Sequence, residues 1–170
     1  MCETREIVYI VRHAAPQPGT GIRYDVPPGP PLSAEGRAEA QRTAAFLADK
    51  EITRILSSPL VRARDTAGII GQTLHVQPVE DARLAEHHAD ETFERVTDRL
   101  RAFWEANYGE GAPWALVTHG SPVRALLTIL GDGQIDLSSY NFDSNIVPTA
   151  GVWRAEREAE GWGLELVFRP

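Results

Sequence analysis

Two histidines stand where short apolar runs stop. Ile7-Val8-Tyr9-Ile10-Val11 gives way to Arg12-His13-Ala14, and Trp114-Ala115-Leu116-Val117-Thr118 gives way to His119-Gly120. A neutral imidazole, with a reference pKa near 6.5, carries a free lone pair at neutral pH and can serve as a nucleophile. A guanidinium beside it offers a planar fork of donors that matches a phosphate face. Arg62 is a second candidate of that kind, placed in the first turn of an expected helix, where unpaired N–H groups and the helix dipole already favour anions. Brought together, these side chains would hold an anionic group and present a nucleophile to it.

Other arrangements are weaker. His87 and His88 lie beside Asp90 and Glu91, but adjacent residues point apart and no His-x-x-x-His spacing is present, so no metal is expected. Gly120-Ser121-Pro122 is not a Gly-x-Ser-x-Gly elbow, and Ser121 reads as a helix cap. Gly19-x-Gly21 lacks a third glycine, and no Walker lysine loop occurs. Cys2, the single cysteine, sits at an expected frayed terminus with no basic cradle, a poor setting for a nucleophile.

Positioning those groups requires strand tips and helix starts. The run from Ile7 to Val11 is short, β-branched and aromatic, which predicts a buried strand, and strand tips are where α/β proteins place their chemistry. A proline-rich loop follows, through Pro16, Gln17 and Pro18 and then residues 25–31, where proline removes donors and fixes φ. Ser33 reads as the N-cap of a helix over 34–49, with Ala40, Ala44 and Leu47 on one stripe. A strand over 53–57 leads to Ser58-Pro59, a cap followed by proline, opening a helix with Ala63, Ala67, Ile70 and Leu74 on its core face. Residues 76–79 suggest a third strand, 84–88 a loop, and 92–107 an amphipathic helix with Phe93, Val96, Leu100 and Phe103 on its stripe. Gly109, Gly111 and Pro113 break it before the second histidine strand. Ser121-Pro122 then opens a helix that Gly131 stops, and residues 152–156 and 164–168 flank Glu160-Gly161 as a terminal hairpin. Strands alternating with helices predict an α/β fold: a three-layer α/β/α sandwich with a mostly parallel central sheet, closed at one edge by the β-hairpin.

The bulk numbers set limits. A chain of 170 residues with a 42% hydrophobic fraction can bury one sizeable core, so residues 1–170 read as a single domain. Net charge is -7, which argues against a nucleic-acid partner. No apolar run approaches the roughly 20 residues of a membrane span, and the N-terminal Glu3, Arg5 and Glu6 interrupt any secretory h-region. With one cysteine no internal disulfide can form, so a cytoplasmic address is expected. Oligomeric state is not readable.

Val11-Arg12-His13-Ala14, then Ser58-Pro59-Leu60-Val61-Arg62-Ala63-Arg64-Asp65-Thr66-Ala67, then Glu86, then Thr118-His119-Gly120 resemble, in that order, the signature of the histidine phosphatases that include the cofactor-dependent phosphoglycerate mutases. The resemblance runs from Ile7 to about Leu130. It implies that the two histidine strands lie side by side. His13 would be the nucleophile that becomes a phosphohistidine, and Arg12 and Arg62 would clamp phosphate oxygens. His119 would hold the transferring phosphoryl, and Glu86 would act as general acid and then base. Gln17 and Gly120 are candidate substrate contacts. Neither metal nor cofactor is implied, and the substrate would be a phosphorylated small molecule or a phosphoprotein. Ala14 and Ala15-Pro16 depart from the family's usual Gly and Glu-Thr or Glu-Ser. His87-His88-Ala89-Asp90 replaces the Arg-x-Tyr-Gly type of sequence of mutases, and Glu86 stands too near the next helix for a covering insertion. A phosphatase is therefore expected ahead of a mutase or a non-catalytic phosphate-binding module. Asp90 and Glu91 remain alternatives to Glu86 as the general acid.

Overall fold

The computed structural model describes residues 6–109, 111 and 113–170, so Cys2 and the other residues of the N-terminal expectation, Glu3 and Arg5, lie outside the described residues. The elements are β1 (Ile7–Arg12), α1 (Ala34–Leu47), β2 (Arg54–Ser57), α2 (Val61–Leu74), β3 (Val79–Glu80), a 3-10 turn (Ala82–Leu84), α3 (Phe93–Asn107), β4 (Trp114–Thr118), α4 (Gly120–Leu130), β5 (Val152–Arg157) and β6 (Trp162–Phe168). They build one six-stranded sheet in the order β3-β2-β4-β1-β5-β6. The pairings among β1 to β4 are parallel, and β5 and β6 add an antiparallel hairpin at one edge. The predicted α/β architecture is the observed one.

Alternation along the strands sends side chains to two separate cores. Val8, Ile10, Leu116 and Trp114 pack against α3 and α4 on one face. Tyr9, Val11, Ile55 and Val117 pack against α1 and α2 on the other. Helices therefore cover both faces, which explains why the central strands read as unbroken apolar runs. No helix among the described residues is long and apolar enough to cross a membrane.

Two pieces of this frame place the site. In the β1–β4 ladder Arg12 stands opposite Thr118, so His13 and His119 leave the sheet side by side at its C-terminal edge. The helices that follow then start beside them. α4 begins at Gly120 with His119 as N-cap and no side-chain cap bond. A missing cap costs about 1 kcal/mol, whereas Val123, Leu126 and Leu127, fully buried, are each worth about 1.5–3 kcal/mol. Burial carries the helix and leaves its first N–H groups for other use.

Several boundaries differ from expectation. Ser33 does cap α1, accepting from Gly36 N–H at 2.9 Å, but the helix stops at Leu47. The Ser-Pro pairs are not caps: α2 starts three residues after Ser58 with Leu60 as N-cap, and in α4 Ser121 is already helical. The third strand falls at Val79–Glu80, because only these residues reach the ladder beside Leu56 and Ser57. Phe93 is exposed, since it opens α3 before the helix meets the core; Thr92 is its cap.

Candidate active site

β1 delivers His13 with its backbone held from two sides. Its N–H donates to the Thr118 carbonyl at 2.8 Å, and its carbonyl accepts from Ala150 N–H at 3.1 Å. The side chain is buried, and Nδ1 lies 2.8 Å from the Ala14 carbonyl. A carbonyl can only accept, so Nδ1 carries the proton and Nε2 keeps its lone pair. Ala14 is itself fixed, its N–H donating to Thr66 Oγ1 at 3.0 Å. Burial, then the Arg62 and Arg12 charges, push the His13 pKa well below its ordinary 6.5 against the opposing Ala14 bond, so the ring stays neutral.

One guanidinium meets that lone pair, and a second acts on the ring through its charge. Arg62 is fully buried; its Nε–H donates to His13 Nε2 at 3.2 Å and its Nη2–H to the Tyr24 carbonyl at 2.7 Å. The Tyr24 ring lies against it, 5.1 Å from ring centroid to the guanidinium carbon. Gly29, at φ +71, closes over the other side, where a Cβ would come within 2.7 Å of Nη1. Arg12 donates from Nη1 to the Val147 carbonyl at 2.9 Å. Among the described residues, Arg12 Nε and Arg62 Nη1 are buried donors with no partner. Such donors are costly to leave unmade, about 1–3 kcal/mol each, and an oxyanion is the kind of acceptor that guanidinium donors hold well.

His119 faces His13 across the site, the ring centroids 5.0 Å apart. Its Nε2 lies 2.8 Å from Ser58 Oγ, while Nδ1 is buried with no hydrogen-bond partner among the described residues, 3.6 Å from Glu86 Oε2. Burial first, then His13 and the arginines, lower its pKa well below 6.5. Glu86 hangs on the loop after the 3-10 turn. Thr118 Oγ1 pins that turn by donating to the Leu84 carbonyl at 2.6 Å, and Arg99 of α3 donates to the Arg83 and Glu86 carbonyls at 2.6 and 3.2 Å. The Glu86 carboxylate accepts His87 N–H at 2.8 Å and stands 3.7 Å from Arg62 Nη2. Burial raises its pKa above 4.5, overcoming the lowering by the His87 amide, Arg62 and Arg12.

Arg12, His13, Arg62, Glu86 and His119 are thus brought together, and the rival carboxylates are not. Glu91 is spent on Arg99, at 2.7 and 2.9 Å, and Asp90 is a solvent-facing side chain 3.6 Å from His88 Nδ1. The His87 ring is engaged with the Glu91 carbonyl at 2.6 Å. Gly120 is buried at the start of α4, directly after His119 and against Asn145. Gln17 is exposed and outside the cluster, its N–H bonded to the Pro31 carbonyl at 2.7 Å. Donor atoms of His13, Glu86 and His119 do lie within 4.8 Å of one another, the span of a metal triad. The guanidinium at 3.2 Å from His13 Nε2 makes that volume cationic already, which suits an anion and repels a metal ion.

Sequence reasoning missed Tyr24, Asn145, Val147 and Arg99. The first three act through the backbone or across the chain from their partners, without periodicity to mark them; Arg99 had one sign, an arginine on a helix facing an acidic loop. A cleft of about 770 Å³ opens beside Glu86, walled by Tyr24, Asp25, His88, Ser121 and Asn145. The proline-rich loop supplies one wall and is clasped shut at Asp25, which accepts from Arg23 Nη2 at 2.7 Å and from Ala89 N–H at 3.0 Å.

A model of the histidine phosphatase superfamily (branch 1) matches residues 8–91. An uncharacterized protein of Mycobacterium tuberculosis is 46% identical over 63 residues, which span 37% of this chain but only 31% of that relative. The uncharacterized phosphatase PhoE of Bacillus subtilis is 32% identical over 153 residues, covering 73% of this chain and 79% of its own. A phosphoglycerate mutase from Bacillus anthracis, 17% identical, superposes with a TM-score of 0.75 over 96% of this chain and 92% of that one, a likeness of fold.

Proposed function

The chain belongs to the histidine phosphatase superfamily, and from that premise we propose that it is a metal-independent phosphomonoester hydrolase acting through a phosphohistidine on His13. The observation that carries the reading is the state of His13. Its Nδ1–H is committed to the Ala14 carbonyl, which leaves an unprotonated Nε2 facing Arg62, with His119 and Glu86 close by. A phosphomonoester bound here has its oxygens held by Arg12, Arg62 and the start of α4, so that Nε2 can attack in line with the leaving oxygen.

In the first step the N–P bond forms as the P–O ester bond breaks, and protonated Glu86 gives its proton to the departing alkoxide. In the second, the Glu86 carboxylate takes a proton from water, the hydroxide attacks phosphorus, and the N–P bond breaks to release phosphate and the neutral imidazole. His119 donates to a phosphoryl oxygen in both. The leaving alcohol occupies the cleft beside Glu86, whose volume is typical of small-molecule sites, so a phosphorylated small molecule is favoured over a phosphoprotein. Hydrolase is favoured over mutase because only a short segment joins Glu86 to α3, leaving the cleft open to water. The two cores share one sheet, which supports residues 1–170 as one domain, and the single cysteine supports a cytoplasmic address.

The test is a turnover screen of phosphorylated metabolites and phosphopeptides in the presence of a chelator, with 3-phosphoglycerate included. Phosphate release that is indifferent to the chelator and lost in His13→Ala is expected. Isomerisation of 3-phosphoglycerate without net phosphate release would replace the hydrolase with a mutase, and activity abolished by the chelator would replace both with a metal site.

A further inference from the structure

His119 is a neutral ring, and a neutral ring can help an anion only if the nitrogen facing it carries the proton. Which nitrogen does so is decided at the opposite edge, by Ser58. Ser58 is fully buried, its Oγ 2.8 Å from His119 Nε2 and 3.2 Å from the Leu60 backbone N, and an N–H can only donate to it. One hydroxyl oxygen has two lone pairs and one proton.

Two assignments are open. If Nε2 held the proton, Ser58 Oγ would accept from both His119 and Leu60, and its own O–H would point into a buried setting with no acceptor among the described contacts. His119 Nδ1 would then turn a bare lone pair toward the Glu86 carboxylate at 3.6 Å and toward the phosphoryl oxygens. If Ser58 donates to Nε2 instead, Leu60 N–H keeps its acceptor and the hydroxyl proton is used. His119 Nδ1 becomes an N–H aimed into the site. The first arrangement leaves a buried donor unmade, at about 1–3 kcal/mol, and sets lone pair against anion; the second does neither.

We propose that Ser58 is a positioning residue that locks His119 in the Nδ1–H form, so that His119 can donate to the transferring phosphoryl oxygen. This rests on the phosphatase reading for its catalytic consequence, though not for the tautomer itself. It also accounts for the position of the serine. Ser58 stands outside α2, and its hydroxyl serves the neighbouring strand's histidine as well as Leu60 N–H.

The experiment measures the ¹⁵N shifts of the His119 ring in the full-length protein, assigned by comparison with His119→Gln, in wild type, Ser58→Ala and Ser58→Thr. Wild type should show a protonated Nδ1 and a pyridine-like Nε2. Ser58→Ala should shift the proton toward Nε2 and lower kcat by about 10-fold to 100-fold, below the 10²-fold to 10³-fold of deleting an oxyanion donor, because the ring remains. Ser58→Thr, which keeps the hydroxyl, should restore both. A wild-type ring protonated on Nε2 overturns the proposal, whether or not the alanine variant folds. A kcat loss in Ser58→Ala with an unchanged ring overturns it as well, leaving Ser58 a packing role. A wild type that hydrolyses no phosphomonoester but shows the Nδ1–H ring supports the tautomer assignment and removes the phosphatase reading alone.

Discussion

Replacing Glu86 with Gln keeps the shape of the side chain and removes both its proton-donating power and its charge. These two losses have opposite signs in different assays. An alkyl phosphate leaves as a strongly basic alkoxide and needs the proton, so Glu86→Gln should slow it by about 10²-fold to 10⁴-fold, or roughly 3–5 kcal/mol of barrier. Nitrophenyl phosphate leaves as a stable phenolate and should lose far less. The resting carboxylate stands 3.7 Å from Arg62 Nη2 and 3.6 Å from His119 Nδ1, close to the oxyanion it would share them with. A bound oxyanion about 4 Å from that carboxylate would be repelled by about 4 kcal/mol at an effective dielectric near 20, and Glu86 is partly open to solvent, so a fraction of that remains. Relief of even a third would tighten phosphate or vanadate binding by about 10-fold. The assays are steady-state kinetics on the two substrate classes and a competitive Ki for vanadate. Equal slowing on both classes, with vanadate binding weakened, would mean that Glu86 merely holds Arg62 and the 83–91 loop in place.

Other outcomes follow from the same geometry. Rapid acid-free quenching during turnover of nitrophenyl phosphate should trap an acid-labile, base-stable phosphoryl label on wild type; label persisting on His13→Ala would point to another nucleophile. Arg62→Lys should weaken vanadate binding, because one ammonium cannot replace a fork that touches His13, Tyr24 and an oxyanion together; a thermal-shift titration would read it, since wild type should gain about 2.7 kcal/mol at 100 times Kd. His13 and His119 are held unprotonated in the fold, so the unfolded chain binds more protons below its ordinary histidine pKa of 6.5, and stability is lost as pH falls through that value. From pH 7.5 to 5.5 the two together should cost up to about 2.7 kcal/mol, less any gain from Glu86, whose raised pKa acts oppositely; urea melts that show no loss, or the same loss in His13→Gln, would count against it. Glu91→Gln should lower stability by about 1–3 kcal/mol through its buried-side contacts with Arg99 while preserving the leaving-group dependence, which separates it from Glu86 in the same kinetic assay.

The β-branched run ahead of Arg12 and the apolar run ahead of His119 announced their strands because both faces of a central strand are covered, and Gly109 and Gly131 marked the ends of α3 and α4. What misled was the Ser-Pro pair. It is the ordinary sign of a capped helix, yet at Ser58 the hydroxyl lies against His119 and α2 starts later, while at Ser121 the capping position has moved back to His119. The two Ser-Pro pairs sit next to the site, and there local rules gave way to contacts from distant parts of the chain. Choosing among Glu86, Asp90 and Glu91 was beyond the sequence for a similar reason. All three lie in one aperiodic loop, and the contact that favours Glu86 in the proposed mechanism comes from Arg99, a residue of α3 that occupies Glu91 and steadies the backbone of Glu86.

One physical cause sets both protonation states that the proposed chemistry needs. In water a carboxyl group near 4.5 and an imidazole near 6.5 are, between those values, carboxylate and imidazolium: the wrong form of each for a neutral nucleophile and a proton-donating acid. Excluding solvent disfavours charge on either group, so the same dry volume lowers His13 and raises Glu86. The arginines act unevenly on the pair. They push His13 further down, which helps, and pull Glu86 back down, which hinders, so the burial of Glu86 must outweigh two cations and the His87 amide. An arriving phosphoryl dianion reverses part of this balance. Its charge engages Arg12 and Arg62 and adds repulsion to any carboxylate beside it, which moves the Glu86 proton affinity upward at the moment the leaving oxygen needs that proton. The substrate therefore completes the acid, and an uncharged ester of the same alcohol should find Glu86 ionised and the site inert.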